Sequence, residues 1–144
     1  MTQIRHIGIT VNNLEQALHF YKDLLEFKIY KIAEENGECL DNFSALKNVE
    51  VTTIKMHDSN NNILELLQYK SHPEKSFNNR ARRLSEIGCS HFALTVSDLD
   101  SLYKKLTKEG IKFNHPVQVS PDKKVKIAFC RDPDGTLIEM VEEL

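Results

Sequence analysis

The chain has 144 residues, 40% of them hydrophobic and 28% charged, with a formal net charge of −2. That length suits one domain with a core of its own, and the near-neutral charge removes the electrostatic case for nucleic acid or an anionic membrane as partner. No apolar run is long enough to span a bilayer, and the N-terminus lacks a signal-peptide pattern.

In chain order, Gln3 to Val11 is rich in β-branched residues and reads as a strand. Asn13 is placed to cap the helix that follows, with Gln16 at the capping-box position. Leu14, Ala17, Leu18, Tyr21, Leu24 and Leu25 recur at helical spacing. Phe27 to Ala33 reads as a second strand, and Glu34 to Asn48 as polar and loop-rich. Val49 to Met56 and Ile63 to Tyr69 read as strands joined by the turn residues Asp58-Ser-Asn-Asn-Asn62. A polar, basic linker follows, with a short helix expected around Asn79 to Glu86. Ser90 to Val96 is then a strand, Ser97 or Asp98 a cap, and Leu99, Leu102, Tyr103 and Leu106 a helical stripe that stops near Gly110. Ile111 to Val119, Val125 to Cys130 and Thr136 to Val141 read as strands, the last preceded by the turn Asp132-Pro-Asp-Gly135. The expected fold is α+β: one domain made of module 1–70, linker 71–88 and module 89–144, each module running β-α-β-β-β. Cys39, Cys89 and Cys130 are odd in number and lack CxxC spacing, so they read as free thiols of a reducing compartment, the cytoplasm.

The second half echoes the first. His6-Ile-Gly-Ile-Thr-Val-Asn-Asn-Leu14 matches His91-Phe-Ala-Leu-Thr-Val-Ser-Asp-Leu99 in its His, Thr, Val and Leu. Lys55 to Leu66 runs without a gap against Phe129 to Met140 and aligns Glu65 with Glu139. Strand side chains alternate between faces. His6 therefore shares its face with Gly8 and Thr10, and His91 with Ala93 and Thr95. Such small neighbours leave room for a ligand, whereas a packed core face carries larger side chains. Glu65 and Glu139 stand on apolar strand faces, where a carboxylate is costly unless a charge or metal compensates it. A lone strand histidine is ordinarily a satisfied side chain, and a lone glutamate marks a water-facing edge. Two of each in repeat register form a nitrogen and oxygen donor set for a divalent metal. His19, His57, His72 and His115 fall on a helix face or in loops and read as solvated.

At these residues the chain resembles the vicinal oxygen chelate superfamily, which includes glyoxalase I, methylmalonyl-CoA epimerase, extradiol dioxygenases, and fosfomycin and bleomycin resistance proteins. The resemblance covers nearly the whole chain. It rests on His6-Ile-Gly-Ile-Thr-Val, Ile63-Leu-Glu65-Leu-Leu, His91-Phe-Ala-Leu-Thr-Val and Arg131-Asp-Pro-Asp-Gly-Thr-Leu-Ile-Glu139. It implies paired βαβββ modules forming a curved sheet around a metal cleft. It also implies that His6, Glu65, His91 and Glu139 hold one divalent ion: Ni, Co, Zn, Mn or Fe. The His, Glu, His, Glu order is similar to glyoxalase I, a lactoylglutathione lyase, and implies a metal-dependent lyase or isomerase that moves a proton next to a carbonyl. Glu139 is then the first choice for the base and Glu65 the second.

Glyoxalase I enzymes that use glutathione tend to carry arginine four residues after the first histidine, where this chain has Thr10. The interval from Glu65 to His91, 91 − 65 = 26 residues, is closer to epimerase-like members. The alternatives are a methylmalonyl-CoA-type epimerase and a metal-free resistance protein that sequesters a drug or metabolite. A complete ligand set argues against the latter. Expected partners are a small substrate, anionic or a thiol or CoA conjugate, and a second copy of the chain in a homodimer. Lys70, Lys75, Arg80, Arg82 and Arg83 read either as a solvated linker or as the receiver of an anionic tail.

Overall fold

The computed structural model describes residues 1–74 and 82–144. The chain divides into two compact units, Met1–Ser76 and Phe77–Leu144. Among the described residues no helix is long and apolar enough to cross a membrane.

In the first unit, strand β1 (Ile7–Thr10) is shorter than the expected Gln3 to Val11. It leads into α1 (Leu14–Leu18), where Asn13 Oδ1 accepts the Gln16 N–H at 3.0 Å as the capping pattern requires. The helix then widens into a π-helical turn over His19–Leu24, closed by the Leu25 N–H donating to the Phe20 carbonyl at 3.0 Å. This wider turn corrects the expected stripe. Phe20, Tyr21 and Leu24 are buried, while Leu14, Leu18 and Leu25 stay half-buried. The Phe20 and Tyr21 rings meet edge to face at 4.9 Å.

Strand β2 (Lys28–Asn36) is followed by α2 (Glu38–Ser44), β3 (Glu50–His57) and β4 (Ile63–Tyr69). Helix α2 corrects the loop-rich reading of Glu34 to Asn48. It is held by contacts distant in sequence: Asp41 accepts the Val49 and Asn48 N–H groups, each at 2.8 Å. Those two N–H groups hold the Asp41 carboxyl below its ordinary range. Leu40 packs with Val49 and Val51, against Leu67 and Tyr69. The four strands form a sheet in the order β1-β4-β3-β2, with β1 parallel to β4 and the other pairs antiparallel.

The second unit repeats this topology. Strand β5 (Phe92–Thr95), helix α3 (Leu99–Lys108), β6 (Gln118–Val119), β7 (Val125–Arg131) and β8 (Leu137–Glu143) give a sheet ordered β5-β8-β7-β6, with β5 parallel to β8. Asp98, rather than Ser97, caps α3, accepting the Ser101 N–H at 2.9 Å. Glu142 of β8 accepts the Leu99 N–H at 2.8 Å and so ties the helix start to the sheet. Gly110, at φ +82°, ends the segment in a conformation that favours glycine. The expected strand over Ile111 to Val119 shrinks to β6 and one bridge, Phe113 to Cys130. Pro116 has no N–H to give a ladder, and the Gln118 amide donates to the Pro116 and Val117 carbonyls instead. Of the expected linker helix, Asn79 to Ala81 lie outside the described residues. From Leu84 to Gly88 the chain makes turns and bends, with the Glu86 N–H donating to the Arg83 carbonyl at 3.2 Å.

One side of each sheet is the core side. Ile9, Val11, Ile54, Met56, Leu64 and Leu66 are buried in the first unit; Leu99, Leu106, Ala128, Cys130, Ile138 and Met140 are buried in the second. Ile7, on the same alternation as Ile9, is exposed at 37% and falls outside that core. Cys39 and Cys89 are exposed and free, as the cysteine count implied. Burial and the nearby Asp132 carboxylate push the Cys130 thiol up to about 12, so it stays protonated and inert.

The two hairpin turns are chemically one device. Asp58 Oδ1 accepts the N–H groups of Asn60 and Asn62 at 2.9 and 2.8 Å, and Asp132 Oδ1 accepts those of Asp134 and Thr136 at 3.0 and 2.7 Å. Asn61 (φ 62°) and Gly135 (φ 90°) take the matching left-handed position. Asp132 is 5% exposed, so its loss leaves two N–H donors away from water. Asp132→Ala is expected to cost about 1–3 kcal/mol. The more exposed Asp58→Ala is expected to cost less, and denaturant unfolding with unchanged slope for both variants checks the order.

Candidate metal centre

Register places the site residues. In the first unit, Gly8 of β1 lies opposite Glu65 of β4, and Lys55 of β3 lies opposite Glu65 on its other side. Partners in register point to the same face. The face therefore carries Gly8, Thr10, Ile63, Glu65, Leu67 and Lys55. His6, two residues before Gly8, reaches it from the start of β1. Its Nε2 stands 3.2 Å from Glu65 Oε2. Lys55 Nζ stands 3.4 Å from the other carboxylate oxygen, Oε1. Glu65 is 8% exposed, and its burial is compensated by these two partners.

The second unit builds the same pair. Ala93 of β5 lies opposite Glu139 of β8, and Phe129 of β7 lies opposite it on the other side. His91 Nε2 stands 3.3 Å from Glu139 Oε2. His91 Nδ1 is 2.8 Å from Ser90 Oγ, an outer contact that fixes the ring orientation and leaves Nε2 for the site. Phe129 meets the His91 ring edge-on at 5.3 Å. Glu139 is only half-buried.

Each unit thus brings together one of the two expected His and Glu pairs. Among the described residues, no group of three or more His, Cys, Asp or Glu side chains forms a metal-holding cluster. Within each pair the donors fit a shared ion. Two ligands about 2.1 Å from one metal, at angles between square and tetrahedral, lie about 3.0–3.4 Å apart. The observed 3.2 and 3.3 Å fall in that range, and the donors are an imidazole nitrogen and a carboxylate oxygen that suit borderline divalent ions.

Sequence reasoning missed Lys55, Ser90 and Phe129. The gapless repeat holds the signal for two of them, since Lys55 and Phe129 are equivalent positions, 129 − 55 = 74, as are Glu65 and Glu139, 139 − 65 = 74. The other histidines hold local partners: His19 Nδ1 is 3.4 Å from Asp23, His57 Nδ1 2.9 Å from the Asp58 carbonyl, His72 Nδ1 2.7 Å from Ser71 Oγ, and His115 Nδ1 3.1 Å from Gln118. In the basic set, Lys70 pairs with Glu34 at 2.7 Å, Arg82 donates to the Cys89 carbonyl at 3.1 Å, and Arg83 lies 3.8 Å from Glu86. Lys75 and Arg80 lie outside the described residues. Thr10, Asn12, Gln68, Tyr69, Lys70 and His72 line a cavity of about 300 Å³ in the first unit.

Residues 3–140 match the family described as the Glyoxalase/Bleomycin resistance protein/Dioxygenase superfamily. The chain is 24% identical to the uncharacterized protein YaeR of Escherichia coli strain K12 over 143 residues, covering 99% of this chain and 98% of that protein. It superposes on the crystal structure of a glyoxalase family protein from Bacillus cereus with a TM-score of 0.89 and 23% identity, covering 100% of this chain and 95% of that one. The trypanothione-dependent glyoxalase I of Leishmania major gives a TM-score of 0.67 at 20% identity, over 99% and 88% of the two chains. These structural likenesses establish the α+β fold of two four-stranded mixed sheets that the sequence implied. With the match running from residue 3 to residue 140 and both His and Glu pairs in register, the chain belongs to the Glyoxalase/Bleomycin resistance protein/Dioxygenase superfamily.

Proposed function

We propose that the chain is a metal-dependent, glyoxalase-type isomerase or lyase that transfers a proton next to a carbonyl of a small oxygenated substrate. The observation that carries this reading is the repeated pair: one histidine Nε2 and one glutamate Oε2 at 3.2 Å in the first unit and 3.3 Å in the second, on equivalent strands. His6, Glu65, His91 and Glu139 would together hold one divalent ion per chain, Ni, Co, Zn, Mn or Fe. When bound, that ion supplies Lewis-acid polarisation of vicinal substrate oxygens. His6 and His91 would serve as nitrogen donors, the latter oriented by Ser90. Glu139 is the carboxylate that accepts the proton from carbon and returns it to the neighbouring carbon, because it is the more exposed of the two acids and can swing toward substrate. Glu65, buried between His6 and Lys55, is the second choice for that role. Thr10, where glutathione-using glyoxalase I enzymes tend to carry arginine, opens on the 300 Å³ cavity, whose described lining holds one lysine and no arginine. Thr10 accordingly weighs against glutathione conjugates among the small anionic, thiol or CoA-linked substrates the site would take. Cytoplasmic location accords with the exposed thiols Cys39 and Cys89.

Metal analysis tests the ligand set. Untagged protein is expected to hold one divalent ion per chain, with affinity falling as acid protons compete for the donors. His91→Ala should lose stoichiometric metal, and full metal content in His6→Ala/His91→Ala would overturn the site.

Glu139→Gln tests the chemistry. The amide keeps the size and an oxygen donor but takes no proton. Turnover should fall by roughly 10²–10⁴ while substrate binding survives better. The assay follows solvent deuterium entering the carbon beside a carbonyl, in 2-oxoaldehyde–thiol adducts and in 2-methyl acyl thioesters. Exchange in the second class alone would assign the epimerase reading. Exchange in neither, with metal bound, would reject proton transfer.

A homodimer is also proposed. Edge strand β2 exposes Tyr30 (50%) and Ile32 (60%), and open sheet edges are ordinarily paired or covered. Light scattering is expected to give twice the 16.6 kDa chain mass, and a monomer at every concentration would refute this.

A further inference from the structure

We infer that Lys55 makes the site selective for a substrate whose chelating end is an anion, such as a 2-oxo or 2-hydroxy carboxylate. The inference rests on the metal-site reading above and adds a substrate class to it. Lys55 is opposite Glu65 in the β3–β4 register, on the same sheet face, with Nζ 3.4 Å from Glu65 Oε1. Its side chain is 32% exposed, so the ammonium is partly withdrawn from water and still reachable. An ammonium has three donors. Its contact with Glu65 is an ion pair at 3.4 Å, long for a hydrogen bond, so the ammonium keeps donors for a further anionic oxygen.

The charge arithmetic gives the direction. A divalent ion with Glu65 and Glu139 sums to zero, and Lys55 makes the total +1. A neutral chelator gains nothing from that excess, whereas a carboxylate oxygen beside the ammonium gains a charge-assisted hydrogen bond in a partly dried site. The repeat shows that this cation is not needed to build the pair. At the equivalent place the second unit has Phe129, which packs on His91, and the His91–Glu139 distance is 3.3 Å all the same. The two units thus differ at this place, a cation beside Glu65 in the first and an aromatic ring beside the His91–Glu139 pair in the second.

The test uses metal-loaded full-length protein and two probes: oxalate, an anion with vicinal oxygens, and imidazole, a neutral metal ligand. Lys55→Met should weaken oxalate at least about tenfold and leave imidazole within about twofold. Divalent metal should bind Lys55→Met as tightly as the wild type or tighter, since a like charge beside the ion is gone. Lys55→Arg should keep oxalate affinity within about threefold, and raising salt should weaken oxalate more in wild type than in Lys55→Met. Lys55→Gln, which keeps a polar side chain, is measured alongside in case Lys55→Met does not fold. Unchanged oxalate affinity in the folded variants overturns the inference. So does a parallel loss of metal and oxalate, which would make Lys55 a support for Glu65 alone. If wild-type protein binds no metal, the metal-site reading itself fails, an outcome separate from an oxalate result on loaded protein.

Discussion

The site depends on one constraint, the parallel pairing of the first strand of each unit with the last. β1 lies in register against β4 with Gly8 opposite Glu65, and β5 against β8 with Ala93 opposite Glu139. Parallel neighbours need a long crossover, and the intervening helices and strands supply it. The pairing brings residues almost sixty positions apart in the first unit, and almost fifty in the second, into one short contact. A slip of one residue would send His6 and Glu65 to opposite faces. The slip is opposed on the other face, where Ile9, Val11, Leu64 and Leu66 would leave the core.

The same backbone carries two unlike environments. In the first unit α2 brings Leu40 onto Val49 and Val51, and this cluster covers Leu67, the neighbour of Glu65 on its own face. Glu65 is itself buried, and a buried carboxylate is tolerated only with partners. His6 and Lys55 are those partners. The second unit has no helix between β6 and β7 and no lysine at position 129, and Glu139 is the more accessible acid. Duplication therefore preserved the donors and let their surroundings diverge, which is the condition for giving two identical side chains different work.

Elsewhere the two units solve a shared problem with the same atoms. Both hairpins before the glutamate strand turn on an aspartate whose oxygen accepts two N–H groups, followed by a residue in the left-handed region. The turn sets where β4 and β8 begin, and so which residues face the histidines. Asn61 takes that position in one turn and Gly135 in the other, the two residue types that adopt it most readily.

The sequence by itself determined the repeat, the α+β class, the cap at Asn13, most strands, and the two histidines and two glutamates with their faces, and it narrowed the second cap to Ser97 or Asp98. These are legible because alternation, capping chemistry and turn residues are local, and because a duplicated pattern states the same thing twice. It did not determine what is held by contacts distant in the chain. Helix α2 stands on Asp41 bonding to Asn48 and Val49 and on Leu40 packing into the sheet. The π-helical turn at His19–Leu24 follows from burying Phe20 and Tyr21 together, which a period of 3.6 does not anticipate. The strand expected over Ile111 to Val119 yields to Pro116 and to the Gln118 amide. Lys55 and Phe129 look unremarkable in the chain. Only strand register, a property of the folded sheet, sets each of them beside a glutamate.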